Sequence, residues 1–130
     1  MRQLSVAIVG ITYPNKAKGP TRLFELALCV PGERVELRPE PKNEHDEHAI
    51  AVFSARGVQL GYLPSERAVL IGSIMRRGVE VRAIFQALAD TVAWCRVAFD
   101  EDPVLPPVAN QAKVEDDDFY PDDPGGEWGA

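Results

Sequence analysis

Between residues 3 and 99, apolar side chains fall at every second position in one short run after another, and this periodicity limits what the chain can build. Leu4, Val6 and Ile8 alternate with Ser5 and Ala7. Phe24, Leu26, Leu28 and Val30 follow, with Glu25 on the opposite face. Val35 and Leu37 alternate with Arg34, Glu36 and Arg38. Then come AIAVF at 49–53 and GVQLGYL at 57–63. Val79, Val81, Ala83, Phe85 and Ala87 stand against Glu80, Arg82 and Gln86, and TVAWCRVAF at 91–99 closes the series. Such alternation in β-branched and aromatic residues predicts half-buried strands, here about seven. Pro31-Gly32 and Arg56-Gly57 punctuate the runs as turns.

One segment breaks the pattern. Pro64-Ser65-Glu66 suits a helix start, with proline in the first turn and an acid beside it. Ala68, Ile71 and Met75 share a face, joined by Leu70 and Ile74. Arg76 and Arg77 lie in the last turn, and Gly78 supplies a left-handed stop. The chain is therefore expected to be mainly β. It should form a small closed or half-closed antiparallel barrel with one or two helices, closure removing sheet edges that so short a chain could not cover.

At 130 residues there is room for one domain and a tail. A motor ATPase or a two-domain dehydrogenase is excluded. The formal charge of -6 conceals a division. Residues 1–99 hold 13 Lys+Arg and 10 Asp+Glu, for a charge of +3, whereas residues 100–130 hold one Lys and ten acids, for -9. The division is expected to separate a barrel (1–99) from an acidic, proline-rich tail (100–130) that is flexible or loosely docked. The acidic whole-chain balance does not argue against nucleic acid, because the body is mildly basic.

Cys29 and Cys95 are too few for a disulfide scaffold or a four-thiolate zinc site, and each sits in an apolar run that suits a small core residue. No apolar run approaches the ~18 residues of a membrane span, and the first residues read as a strand. The expected location is the cytoplasm.

Three segments can carry chemistry. Asn43-Glu44-His45-Asp46-Glu47-His48 holds both histidines and three acids. Imidazole and carboxylate suit zinc or manganese, yet the same residues make a polar loop in which Asn43 and Asp46 bond local backbone N–H groups. Gly61-Tyr62-Leu63-Pro64 ends a strand and begins the helix, where Tyr62 is either a base-stacking platform or a core aromatic. Gly10-Ile11-Thr12-Tyr13 leads into a loop with Lys16 and Lys18. A ring followed by cations fits a nucleic-acid surface, and an ordinary solvated hairpin loop fits as well. No phosphate-cradling glycine motif and no nucleophile elbow is present, and nothing supports an enzyme.

VAIVGITY at 6–13, EPKNEHDEHAIAV at 40–52 and GVQLGYLPSE at 57–66 together resemble the HIRAN domain. The middle segment fits Asn-x-x-Asp-x-x-Ala-Ile/Val at Asn43, Asp46, Ala49 and Ile50. The last fits Gly-aromatic/His-Leu-Pro running into a helix. The resemblance spans residues 4–99 and implies a barrel similar to the OB-fold that captures the free 3′ end of single-stranded DNA. By position it implies stacking by Tyr13, His45 and Tyr62, and a contact from Asp46 to the terminal 3′-hydroxyl. Thr12 and Ser65 stand where the end-binding members carry basic residues, so Lys16, Lys18 or Arg67 would have to supply phosphate contacts.

The expected function is thus a non-catalytic module binding single-stranded DNA, with no metal and no cofactor. A second reading is an adaptor that binds protein through the barrel face or the tail, and a third is a metal-dependent hydrolase built on His45, Asp46 and His48. The tail, with Phe119-Tyr120 after the run Glu115–Asp118, is expected to compete with nucleic acid for the basic face.

Overall fold

Six of the seven period-two runs are strands, and the seventh is a helix. The computed structural model describes residues 2–107. In chain order they form β1 (Gln3–Ile8), α1 (Arg22–Leu28), β2 (Arg34–Pro39), β3 (Ile50–Phe53), β4 (Gln59–Tyr62), α2 (Ser65–Arg76), β5 (Val81–Ala89) and β6 (Val92–Phe99).

The run at 24–30 was expected to be a strand with Glu25 turned to solvent, and the structure corrects both points. The Thr21 hydroxyl accepts from the Phe24 N–H at 3.1 Å and caps α1. The helix buries Arg22, Glu25 and Leu26 and leaves Phe24 and Leu28 exposed. Glu25 is only 1% exposed. Its Oε2 accepts from Ser54 Oγ at 2.7 Å and from Arg56 Nε at 2.6 Å, and Arg56 also bridges Glu33 at 2.8 Å. A buried carboxylate persists only with such partners. Arg56 lies 31 residues away in the sequence, so no local pattern announces that Glu25 turns inward.

The six strands make one antiparallel sheet in the order β1-β6-β5-β2-β3-β4. β2 changes partners along its length: Arg34 and Val35 pair with β5, and Glu36 to Pro39 pair with β3. The sheet therefore curls, and its two edge strands meet at Val9 and Tyr62, which exchange backbone hydrogen bonds of 2.8 and 2.9 Å. The result is an OB-like half-barrel with two helices. A Cβ placed on Gly61 would lie 2.3 Å from the Val9 carbonyl oxygen, so only glycine permits this approach.

Ile8, Leu26, Ile50, Val52, Leu60 and Phe85 fill the interior, each contributing about 1.5–3 kcal/mol of burial. α2 lies on this core through Ala68 and Ile71 and stops as expected, with Gly78 at φ 90°. Cys95 is fully buried and Cys29 half-buried, and burial pushes their thiols up to about 12 and about 11. Among the described residues no helix is long and apolar enough to cross a membrane.

Residues 100–107 run back along the barrel. The Gln3 amide donates to Glu101 Oε2 at 2.5 Å and its oxygen accepts from the Val104 N–H at 3.0 Å, while Asp102 pairs with Arg82. The rest of the expected acidic tail, 108–130, lies outside the described residues.

Candidate functional site

The outer face of β2, β3 and β4 presents two rows of side chains. Arg38, Ala51 and Tyr62 stand opposite one another across the three strands, and Glu36, Phe53 and Gln59 form the next row. A bulge sets Leu60 as the extra residue of β4. It sends Leu60 into the core and leaves both Gln59 and Tyr62 on the outer side.

Two loops rise beside this face, one spanning 14–20 and the other 40–45, and enclose a groove of about 860 Å³. Phe53 and Tyr62 belong to its floor, and Lys16, Lys18, Lys42 and His45 to its walls. Four cations line it, counting Arg22, against the two carboxylates Glu40 and Glu44. The groove is therefore concave, aromatic-floored and positive on balance.

A chain of side chains ties the two walls together. Arg22 is 6% exposed and donates through Nε to Asn15 Oδ1 at 2.7 Å and through Nη1 to the Gly10 carbonyl at 2.8 Å. Its guanidinium carbon also lies 5.7 Å from the Tyr62 ring centre. Burial lowers the pKa of Arg22, and Tyr62 and Glu40 oppose that shift; the guanidinium stays charged at any working pH. The Tyr62 hydroxyl in turn donates to Glu40 Oε1 at 2.9 Å, which also accepts from Asn43 Nδ2 at 2.9 Å.

The second loop folds back on itself. Asn43 Oδ1 accepts from the N–H groups of His45 and Asp46 at 2.8 and 3.1 Å, and Asp46 Oδ1 accepts from the His48 N–H at 2.9 Å. Each Asx turn replaces a backbone partner, as the residue pattern led us to expect. The turn fixes His45 at the groove wall with its ring exposed.

The predicted site residues divide accordingly. Lys16, Lys18, His45 and Tyr62 come together in the groove. Tyr13 is 69% exposed on the turn just before the groove wall at Pro14. Asp46 is half-buried in the turn beside His45. Arg67 sits in the first turn of α2 and is not part of the groove lining. His45, Asp46 and His48 do not form a metal-ligand set: His48 pairs loosely with Glu47 at 3.6 Å, and among the described residues no three such donors converge. Among the described residues the hydrolase reading finds no ligand set to rest on.

Arg22, Arg38, Glu40, Lys42 and Phe53 were not anticipated. For Phe53 the signal was available, because the alternation that points Ile50 and Val52 inward points Phe53 outward. A smaller opening of about 500 Å³ lies where β2 leaves β5, lined by Arg34, Glu36, Glu80 and Arg82, and it gathers none of the predicted residues.

The sequence pattern of the HIRAN domain matches residues 1–100. Two solved structures share the architecture. The HIRAN domain of human HLTF superimposes with a TM-score of 0.57 at 24% identity, covering 75% of this chain and 74% of that one. A protein from Lactobacillus plantarum gives 0.58 at 22% identity, covering 75% of this chain and 95% of that one. At these identities the likeness speaks for the fold alone. No curated protein matches the chain.

Proposed function

The chain belongs to the HIRAN domain family and is a non-catalytic nucleic-acid-binding module; from that premise we propose that it binds single-stranded DNA in the groove over β2–β4, at a free 3′-hydroxyl end. The observation that carries the proposal is the pairing of an aromatic floor with cationic walls. Single strands are held by rings that stack on bases and by cations that follow the backbone.

Tyr13, His45 and the outward side of Tyr62 supply stacking surfaces. Lys16, Lys18 and Lys42 meet phosphates from both walls, and Arg67 extends this field along α2. They take the part of the basic residues that Thr12 and Ser65 replace. Asp46 keeps a carboxylate oxygen on the His48 N–H; a carboxylate has room for further donors, and the terminal 3′-hydroxyl is the donor we assign to it.

Fluorescence anisotropy with a short labelled oligonucleotide tests this reading. Saturable, salt-sensitive binding that prefers a 3′-hydroxyl over a 3′-phosphate is expected. Absence of binding at micromolar protein and low salt would reject it and favour the adaptor reading. For that alternative the specific observation is the apolar outer face of α1 at Leu23, Phe24 and Leu28.

A further inference from the structure

We infer that the groove continues past Tyr62 into a second nucleobase subsite, a platform made of the Phe53 ring with the Arg38 guanidinium laid upon it. The inference rests on the single-strand reading above and names where a second base would sit.

Tyr62 and Arg38 occupy the same row of the sheet, separated by Ala51. Two strand spacings, about 10 Å, lie between their Cα atoms. The Arg38 side chain leans diagonally towards Phe53 and places its guanidinium carbon 3.8 Å from the ring centre. Glu36, directly opposite Phe53, accepts from Arg38 Nη2 at 3.0 Å and holds the group there. The guanidinium thus sits in contact with the ring, and the Arg38 side chain remains 46% exposed to an incoming base.

This is more organisation than a phosphate contact requires. A phosphate contact needs only a cation, and the flexible point charge of lysine also makes one. A guanidinium flattened on an aromatic ring is a rigid plane of the kind on which unstacked bases settle. Phe53 is at once part of the groove floor and the base of this plane. A strand whose terminal base lies on Tyr62 thus meets a second stacking surface as it crosses β3 towards β2.

The test uses oligonucleotides ending in 3′-hydroxyl, each with one abasic site at a successive position from that end. For the wild-type protein, an abasic site at the internal position facing the platform should weaken binding about 5- to 150-fold, the equivalent of one base–aromatic stack. Arg38→Lys keeps the charge and loses the plane, and it should erase that penalty. Phe53→Leu keeps apolar bulk and loses the ring, and it should do the same while circular dichroism reports a folded protein. An unchanged abasic profile in Arg38→Lys would overturn the subsite. So would full recovery of Arg38→Ala affinity by Arg38→Lys, which would make Arg38 a simple phosphate contact. If wild-type protein binds no oligonucleotide at all, the single-strand reading has failed. If it binds with a profile that ignores both variants, only the second subsite falls.

Discussion

The buried guanidinium of Arg22 lies 5.7 Å from the centre of the Tyr62 ring, and through it the first loop of the groove is fastened to the strand that forms its floor. Neither residue acts alone. Arg22 satisfies the Gly10 carbonyl and Asn15, and Tyr62 passes the connection to Glu40 and the second loop.

Arg22→Ala should therefore cost about 2–3 kcal/mol in urea denaturation, since hydrogen bonds from a charged donor are worth about 1.5–3 kcal/mol and two part-buried acceptors lose theirs. Oligonucleotide affinity should fall as well at temperatures where the variant is fully folded, because the walls lose their register. Unchanged stability would mean that solvent replaces the guanidinium without loss.

Gly61→Ala should destabilise the barrel by about 1–3 kcal/mol or more, the usual cost of forcing an atom into a packed site. The added Cβ would stand 2.3 Å from the Val9 carbonyl, and the Val9–Tyr62 closure would have to open. Hydrogen exchange at the Val9 and Tyr62 amides reads this directly. Both should exchange faster in the variant, and unaltered protection would show that the closure does not depend on glycine.

Much of this was legible in the sequence. The period-two runs announced six strands at nearly their observed places. The Pro64–Gly78 signals announced α2. Four of the seven proposed contact residues, Lys16, Lys18, His45 and Tyr62, do share one groove. What stayed hidden depends on partners distant in sequence. Glu25 read as a solvent-facing acid because its neutraliser, Arg56, follows 31 residues later. With Glu25 turned outward, the run at 24–30 looked like a strand, although Thr21 already offered a helix cap. Arg22 carries no sequence signal for a different reason: a buried arginine is recognised by its acceptors, and Asn15 and the Gly10 carbonyl, seven and twelve residues away, reach it only once the intervening loop has folded.

Asp46→Asn separates two roles of one side chain. The asparagine oxygen can still accept from the His48 N–H, so the turn and the melting temperature should be kept. The charge-assisted bond to a 3′-hydroxyl should weaken, and the preference for 3′-hydroxyl over 3′-phosphate should shrink. Asp46→Ala should lose the turn as well. A uniform loss of affinity in Asp46→Asn for every oligonucleotide, together with a lower melting temperature, would confine Asp46 to a structural role.

Residues 108–130 hold seven acids and one lysine, tethered to residues 1–107, whose 13 Lys+Arg and 13 Asp+Glu balance but whose groove is positive. A tethered anion competes at high effective concentration, and the competition fades with salt because exposed charges are screened over about 8–10 Å. A chain ending at Pro107, which keeps the Val104–Gln3 bond, should bind oligonucleotide more tightly at low salt, with the gain shrinking as salt rises. Equal affinities across the salt series would exclude competition.

The central claim is that a single strand lies in the groove over β2–β4. Photo-crosslinking a 3′-hydroxyl oligonucleotide that carries 5-iodouracil as its terminal base, followed by peptide mapping, addresses it most directly. The account predicts adducts at Tyr13, His45 or Tyr62, lost when unlabelled strand competes and retained when duplex competes. Adducts confined to α1 or to the opening between β2 and β5 would contradict it.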